Sequence, residues 1–104
     1  MKIQVNTDHN IHGHEATIKR IEATVENTLG HLAEHITRVE VHLSDENAKK
    51  GGSADKRCMM EARLEKHQPI AVTEEAATMD AAVDGAAHKL KRLLDHTLGR
   101  LSAQ

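Results

Sequence analysis

Residues 78–101, TMDAAVDGAAHKLKRLLDHTLGRL, read as one amphipathic helix whose charges are sorted by sign. Met79, Val83, Ala86, Leu90, Leu94 and Leu101 recur with helical spacing and form one apolar stripe. Lys89, Arg92, His96 and Arg100 follow at steps of three, four and four, which puts them on a second face beside that stripe. Asp80, Asp84 and Asp95 fall on a third face with Lys91. Thr78 stands where an N-cap hydroxyl is needed. A cationic row not interleaved with acids suits phosphates. Ala81, Gly85 and Gly99 lie beside it and leave room for a phosphate backbone. An ordinary solvated face gives the same row without a partner, and so does a basic C-terminal end that complements the helix dipole.

Upstream, the period changes twice. Residues 2–7 alternate, with Ile3 and Val5 on one side and Lys2, Gln4 and Asn6 on the other, which predicts a short strand. Residues 8–13 are polar and turn-like. From 14 to 35 the stripe Ile18, Ile21, Val25, Leu29, Leu32 and Ile36 predicts a helix, with a bend possible at Gly30. Residues 38–44 alternate again, as do 56–65, where Cys58, Met60, Ala62 and Leu64 point inward. Between them, 45–55 (DENAKKGGSAD) is a loop centred on Gly51–Gly52. A turn at 67–69 leads into a fourth strand beginning at 70–73, and Pro69 suits a strand start or an edge. The order is β-α-β-β-β-α. It predicts an α+β, two-layer sandwich: a four-stranded mixed sheet with both helices on one face, the first helix crossing between parallel neighbours. Both helices then run the same way, so the acidic flank of one meets the basic flank of the other.

The bulk numbers bound the function. A chain of 104 residues is expected to form a single domain over 1–104. It has no Phe, Trp or Tyr, so the core is aliphatic and base-stacking readers of single-stranded RNA are excluded. Net charge is -2 with histidines neutral, so any nucleic-acid contact must come from a local patch. A lone Cys58 fits a reducing compartment. The start, MKIQVNT, lacks a signal-peptide core, and no apolar run approaches the roughly 20 residues that span a bilayer. A soluble cytoplasmic protein without membrane contact is the expectation.

At this point the chain resembles a known family, the ribosome hibernation-promoting factors and ribosome-associated inhibitors, also called ribosome subunit interface proteins, in their short form. Their signature runs roughly D-M-Y-A-A-I-D, a spacer, then K-L-x-R-Q-L. Here T-M-D-A-A-V-D spans 78–84 and K-L-K-R-L-L spans 89–94, with the spacing kept. V-E-V-H-L at 39–43 is similar to the family's V-x-V-x-L. The resemblance implies binding in the small-subunit cleft where tRNA and mRNA pass, and translation silenced under stress. It implies ribosomal RNA contacts from Lys89 and Arg92, and more loosely from His96 and Arg100. Thr78 replaces the family's Asp, and Asp80 its Tyr. The first helix reads V-E-N-T-L-G-H-L at 25–32 in place of a basic pattern.

The remaining candidates are read from the residues themselves. Arg20, Thr24, His31 and His35 lie on one flank of the first helix, opposite Glu15, Glu22 and Glu26. Arg20, His31 and His35, with Lys91, extend the candidate RNA-binding set, and the histidines would do so increasingly as pH falls. His9, His12 and His14, and the i, i+4 pair His31 and His35, read as surface histidines, since no Cys pair or H-E-x-x-H accompanies them. Cys58 reads as a small buried hydrophobe. Lys49, Lys50, Lys56 and Arg57 border a glycine loop that lacks the phosphate-loop pattern. Arg38, His42, Arg57 and Arg63 share the polar sheet face with Glu40, Glu61 and Glu65, so cross-strand pairing accounts for them. No nucleophile–base or carboxylate pair suggests an enzyme. The expected partner is the small ribosomal subunit with its ribosomal RNA; no cofactor, metal or small-molecule substrate is expected. The alternative is a stress-related protein-interaction module of the same fold with weak or no ribosome binding.

Overall fold

The computed structural model describes residues 1–7, 15–45 and 56–102, the last three without their side chains. The turn at 8–13 with His9, His12 and His14, the loop residues Lys49, Lys50, Gly51 and Gly52, and the side chains of Arg100 and Leu101 lie outside the described residues. The elements are β1 (Lys2–Thr7), α1 (Glu15–Leu29), a 3-10 helix (Gly30–His35), β2 (Ile36–Asp45), β3 (Lys56–Leu64), β4 (Ile70–Ala76) and α2 (Met79–Ser102). The sheet order is β1-β2-β3-β4, with β1 parallel to β2 and the other pairs antiparallel. This is the mixed α+β arrangement that the alternating and helical periods predict.

Three boundaries differ from the sequence pattern. The first helix is α only to Leu29 and tightens to 3-10 from Gly30. Glycine gives the α form little support, and the tighter winding lets the chain turn at once into β2 while Leu32 stays buried. Ile36 therefore closes no helical stripe. Its backbone is extended, its N–H bonds to the Ala33 carbonyl, and it opens β2 with its side chain buried. β4 continues through Glu74 and Glu75, which pair with Cys58 and Arg57 of β3. Those two acids hide the strand from any apolar pattern. Glu65 lies just past β3 rather than in it.

The core is one cluster. Val39, Val41 and Leu43 of β2, Met60 and Ala62 of β3 and Val72 of β4 face Ile21, Val25 and Leu29 of α1 and the buried side of α2. Both helices thus cover one sheet face. On α2, Ala82, Ala86 and Ala87 are fully buried beside Leu90 and Leu94. Small side chains bring the helix backbone close to the sheet, and the two leucines fill the remaining depth without any aromatic ring. Truncating either leucine leaves a cavity that this thin core cannot collapse. Leu90→Ala or Leu94→Ala should each destabilise by about 2–5 kcal/mol in urea denaturation, whereas Leu93→Ala, at an exposed position, should stay within roughly 0.5 kcal/mol. Equal losses at 93 and 94 would contradict this packing.

Candidate nucleic-acid interface

The start of α2 fixes the phase of its charges. Thr78 Oγ1 accepts the Ala81 N–H at 3.1 Å, and the Thr78 carbonyl accepts the Ala82 N–H at 3.1 Å. The N-cap read from sequence is therefore formed. With the apolar stripe held against β3 and β4, the polar positions divide into a flank over β4, a flank over α1 and an outer crest.

On the β4 flank, Lys89 Nζ donates to the Thr73 carbonyl at 2.8 Å and pairs with Glu74 Oε1 at 2.9 Å. β4 is an edge strand, and a lysine on an edge blunts its open backbone groups. Glu74 fits there because Gly85 has no side chain: a Cβ on Gly85 would lie 2.7 Å from Glu74 Oε2. Sequence reasoning missed Glu74, which lies on another element. The only local hint was Gly85, one helical turn before Lys89.

On the α1 flank, Arg20 Nε donates to Asp80 Oδ1 at 3.1 Å. His31 Nε2 lies 3.1 Å from Asp95 Oδ1, and Lys91 Nζ donates to Asp95 Oδ2 at 3.1 Å. Arg20 of α1 meets the start of α2, and His31, in the 3-10 helix that continues α1, meets the later part of α2, so the helices run parallel. The acidic flank of α2 meets the basic flank of α1, as the sorted charges predict. Arg20, His31 and Lys91 are accordingly spent on internal pairs. His35 lies 3.6 Å from Glu34 Oε1. The 3-10 winding turns it about 120° past His31, off the shared face that an α-helix would give the two residues.

On the crest, Arg92 and His96 are exposed and make no hydrogen bond or ion pair with the described residues. Asp84, with His88 Nδ1 3.5 Å away, and Asp95 form an acidic ridge between this crest and α1. The candidate residues therefore do not form one continuous patch. Lys89, Arg92 and His96 lie on the β4 side of the ridge, and Arg20 and His31 lie across it.

The open sheet face is self-paired. Glu40 Oε2 lies 3.1 Å from Arg38 Nε, without hydrogen-bond alignment, and 3.7 Å from Arg63 Nε. Glu40 Oε1 lies 3.3 Å from His42 Nε2. Arg38 also donates to Gln4 Oε1, and Arg63 to Glu61 at 3.4 Å. Cys58 is fully buried beneath this layer, and burial pushes its thiol up to about 12, which keeps it protonated and unreactive. Among the described residues no group of three or more His, Cys, Asp or Glu could hold a metal ion. No described helix is long and apolar enough to cross a membrane.

A four-stranded mixed sheet under two parallel helices, the second with Arg92 and His96 exposed and without a partner among the described residues, defines a small α+β protein. The chain belongs to the family described as Sigma 54 modulation protein / S30EA ribosomal protein, which matches residues 5–102. This bears out the family read from 78–94. Two solved structures share the fold. The Thermus thermophilus Protein Y N-terminal domain is 24% identical, with a TM-score of 0.68 over 93% of this chain and 99% of that one. A ribosomal subunit interface protein from Coxiella burnetii is 18% identical, with a TM-score of 0.67 over 100% of both chains. No curated sequence matches the chain significantly.

The Asp95 cluster makes a pH prediction. Hydrogen bonds from His31 first, then Lys91, hold the Asp95 carboxyl below its ordinary value of 3.8. A lowered folded pKa means the stabilisation is present above the unfolded value and is lost as pH falls through the folded one. Asp95→Asn should therefore flatten the fall in urea-denaturation stability below about pH 5. An unchanged slope would contradict the clamp.

Proposed function

We propose that this protein associates with the ribosome and occupies the small-subunit cleft used by tRNA and mRNA, inactivating or storing ribosomes under stress in the cytoplasm. The family description supports ribosome association, and one structural neighbour is described as a ribosomal subunit interface protein. The observation that carries the reading is the crest of α2, where Arg92, with His96 beside it, has no partner among the described residues, in a chain whose net charge is -2 with histidines neutral. A guanidinium fork left without an internal acceptor is suited to bidentate contact with a phosphate.

The mechanism is occupancy without covalent chemistry. Arg92 and Lys89 hold ribosomal RNA phosphates, and His96 and Arg100 extend the row toward the helix C-terminus. Ala81, exposed on the same helix, keeps the approach shallow. Lys91, Arg20, His31 and His35 contribute at the periphery, because their polar ends already have partners within the protein. With no aromatic ring to stack a base, recognition rests on shape and on the phosphate backbone. The acidic ridge of Asp84 and Asp95 favours the second reading, a protein-interaction module of the same fold with weak or no ribosome affinity.

Co-sedimentation separates the two. At low salt the wild type should pellet with small ribosomal subunits, and Lys89→Glu with Arg92→Glu should leave it in the supernatant. Arg38→Ala, on the self-paired sheet face, should pellet like the wild type. Arg92→Ala should also reduce the log–log salt slope by about 1. Wild-type protein that stays in the supernatant at low salt defeats the ribosome reading and favours the alternative.

A further inference from the structure

We infer that Glu74 is an internal competitor for the phosphate group at Lys89, so that this chain sets its own affinity for RNA through a clasp between β4 and α2. The inference rests on the reading that α2 meets RNA, and it adds a residue that the basic row alone does not reveal.

An ammonium has three donors, and two of those on Lys89 are already used, one by the Thr73 carbonyl at 2.8 Å and one by Glu74 at 2.9 Å. The pair is not sealed, since 42% of the Lys89 side chain and 32% of the Glu74 side chain remain accessible. An incoming phosphate can therefore reach Lys89, but it meets a carboxylate already bound there.

The position of that carboxylate is built. Glu74 lies opposite buried Cys58 on the sheet face that α2 covers, at the sheet's edge. Its Cγ, Cδ and Oε2 occupy the notch left by Gly85, where a Cβ would stand 2.7–2.9 Å from them. Anion, notch and ammonium thus coincide at one place on the helix surface. Among the described residues Glu74 has no hydrogen-bond or ion-pair partner other than Lys89, so no second polar contact would oppose its displacement into solvent. Arg92, less than one turn further along α2, meets no such competitor among the described residues. Binding then has an order: Arg92 engages a phosphate first, and Lys89 is released to a second phosphate only as Glu74 yields.

An exposed ion pair of this kind is a modest competitor, equivalent to roughly a two- to fivefold change in affinity. The test compares wild type, Glu74→Gln, Glu75→Gln, Lys89→Gln and the Glu74→Gln/Lys89→Gln double variant. Each is titrated against purified small ribosomal subunits at fixed salt and eluted from a heparin column. Gln keeps the notch filled but gives up the charge, and Glu75→Gln makes the same charge change away from Lys89. Glu74→Gln should bind subunits roughly two- to fivefold tighter than wild type and tighter than Glu75→Gln, and it should gain nothing in the Lys89→Gln background. Equal gains from Glu74→Gln and Glu75→Gln, a gain that survives Lys89→Gln, or no gain at all would overturn the clasp. If no variant binds subunits, the ribosome reading fails on its own. The Lys89-dependent shift of Glu74→Gln to higher salt on heparin then still supports the clasp, and its absence overturns it.

Discussion

Leu90 and Leu94 press α2 onto a sheet that offers no aromatic ring in return, and Ala82, Ala86 and Ala87 let the helix backbone settle close to β3 and β4. That contact fixes the helix in depth and in rotation together. A rotation of even one residue position would expose an alanine seat and lift a leucine out of the core. Because the rotation is fixed, each charge on α2 has an assigned neighbour. The Thr78 cap adds a second constraint by setting where the helix begins.

The charges then meet three different fates, decided by what lies beside them. Over α1, Asp80 and Asp95 meet Arg20 and His31, and the charge sorting on that side binds two parallel helices together. Over β4, Lys89 meets an edge carbonyl and Glu74. On the crest, Arg92 and His96 face solvent without a partner among the described residues. A family of ribosome-associated proteins thus appears here with a narrower free cationic surface than the bare count of basic residues suggests. The acid at position 80 joins the helices through Arg20.

Much of the fold was legible because its signals are local and periodic. Ile3 and Val5, Val39, Val41 and Leu43, and Cys58, Met60, Ala62 and Leu64 alternate as half-buried strands must. The stripe of α2 and its Thr78 cap could be read from neighbouring residues alone. The direction of the helices followed from one topological step, the crossover between parallel strands. What escaped was short or long-range. A 3-10 turn of six residues, Gly30–His35, carries no period of its own. The end of β4 is written in Glu74 and Glu75, whose strand character comes only from pairing with β3. The same distance in sequence concealed the contact between Glu74 and Lys89. The site was therefore half legible: the basic residues were visible, but which of them are free is a tertiary property.

Under the proposed function, that distinction assigns the contact with ribosomal RNA to the crest of α2 rather than to the sheet. Photo-crosslinking tests it most directly. A photoreactive side chain is placed at His88, exposed on α2 one turn before Arg92, or at Ala71, exposed on the open sheet face, and each protein is irradiated on small ribosomal subunits. The expected result is ribosomal RNA attached through position 88 and none through position 71. Attachment through 71 with none through 88 would contradict the assignment of α2 as the RNA-facing element.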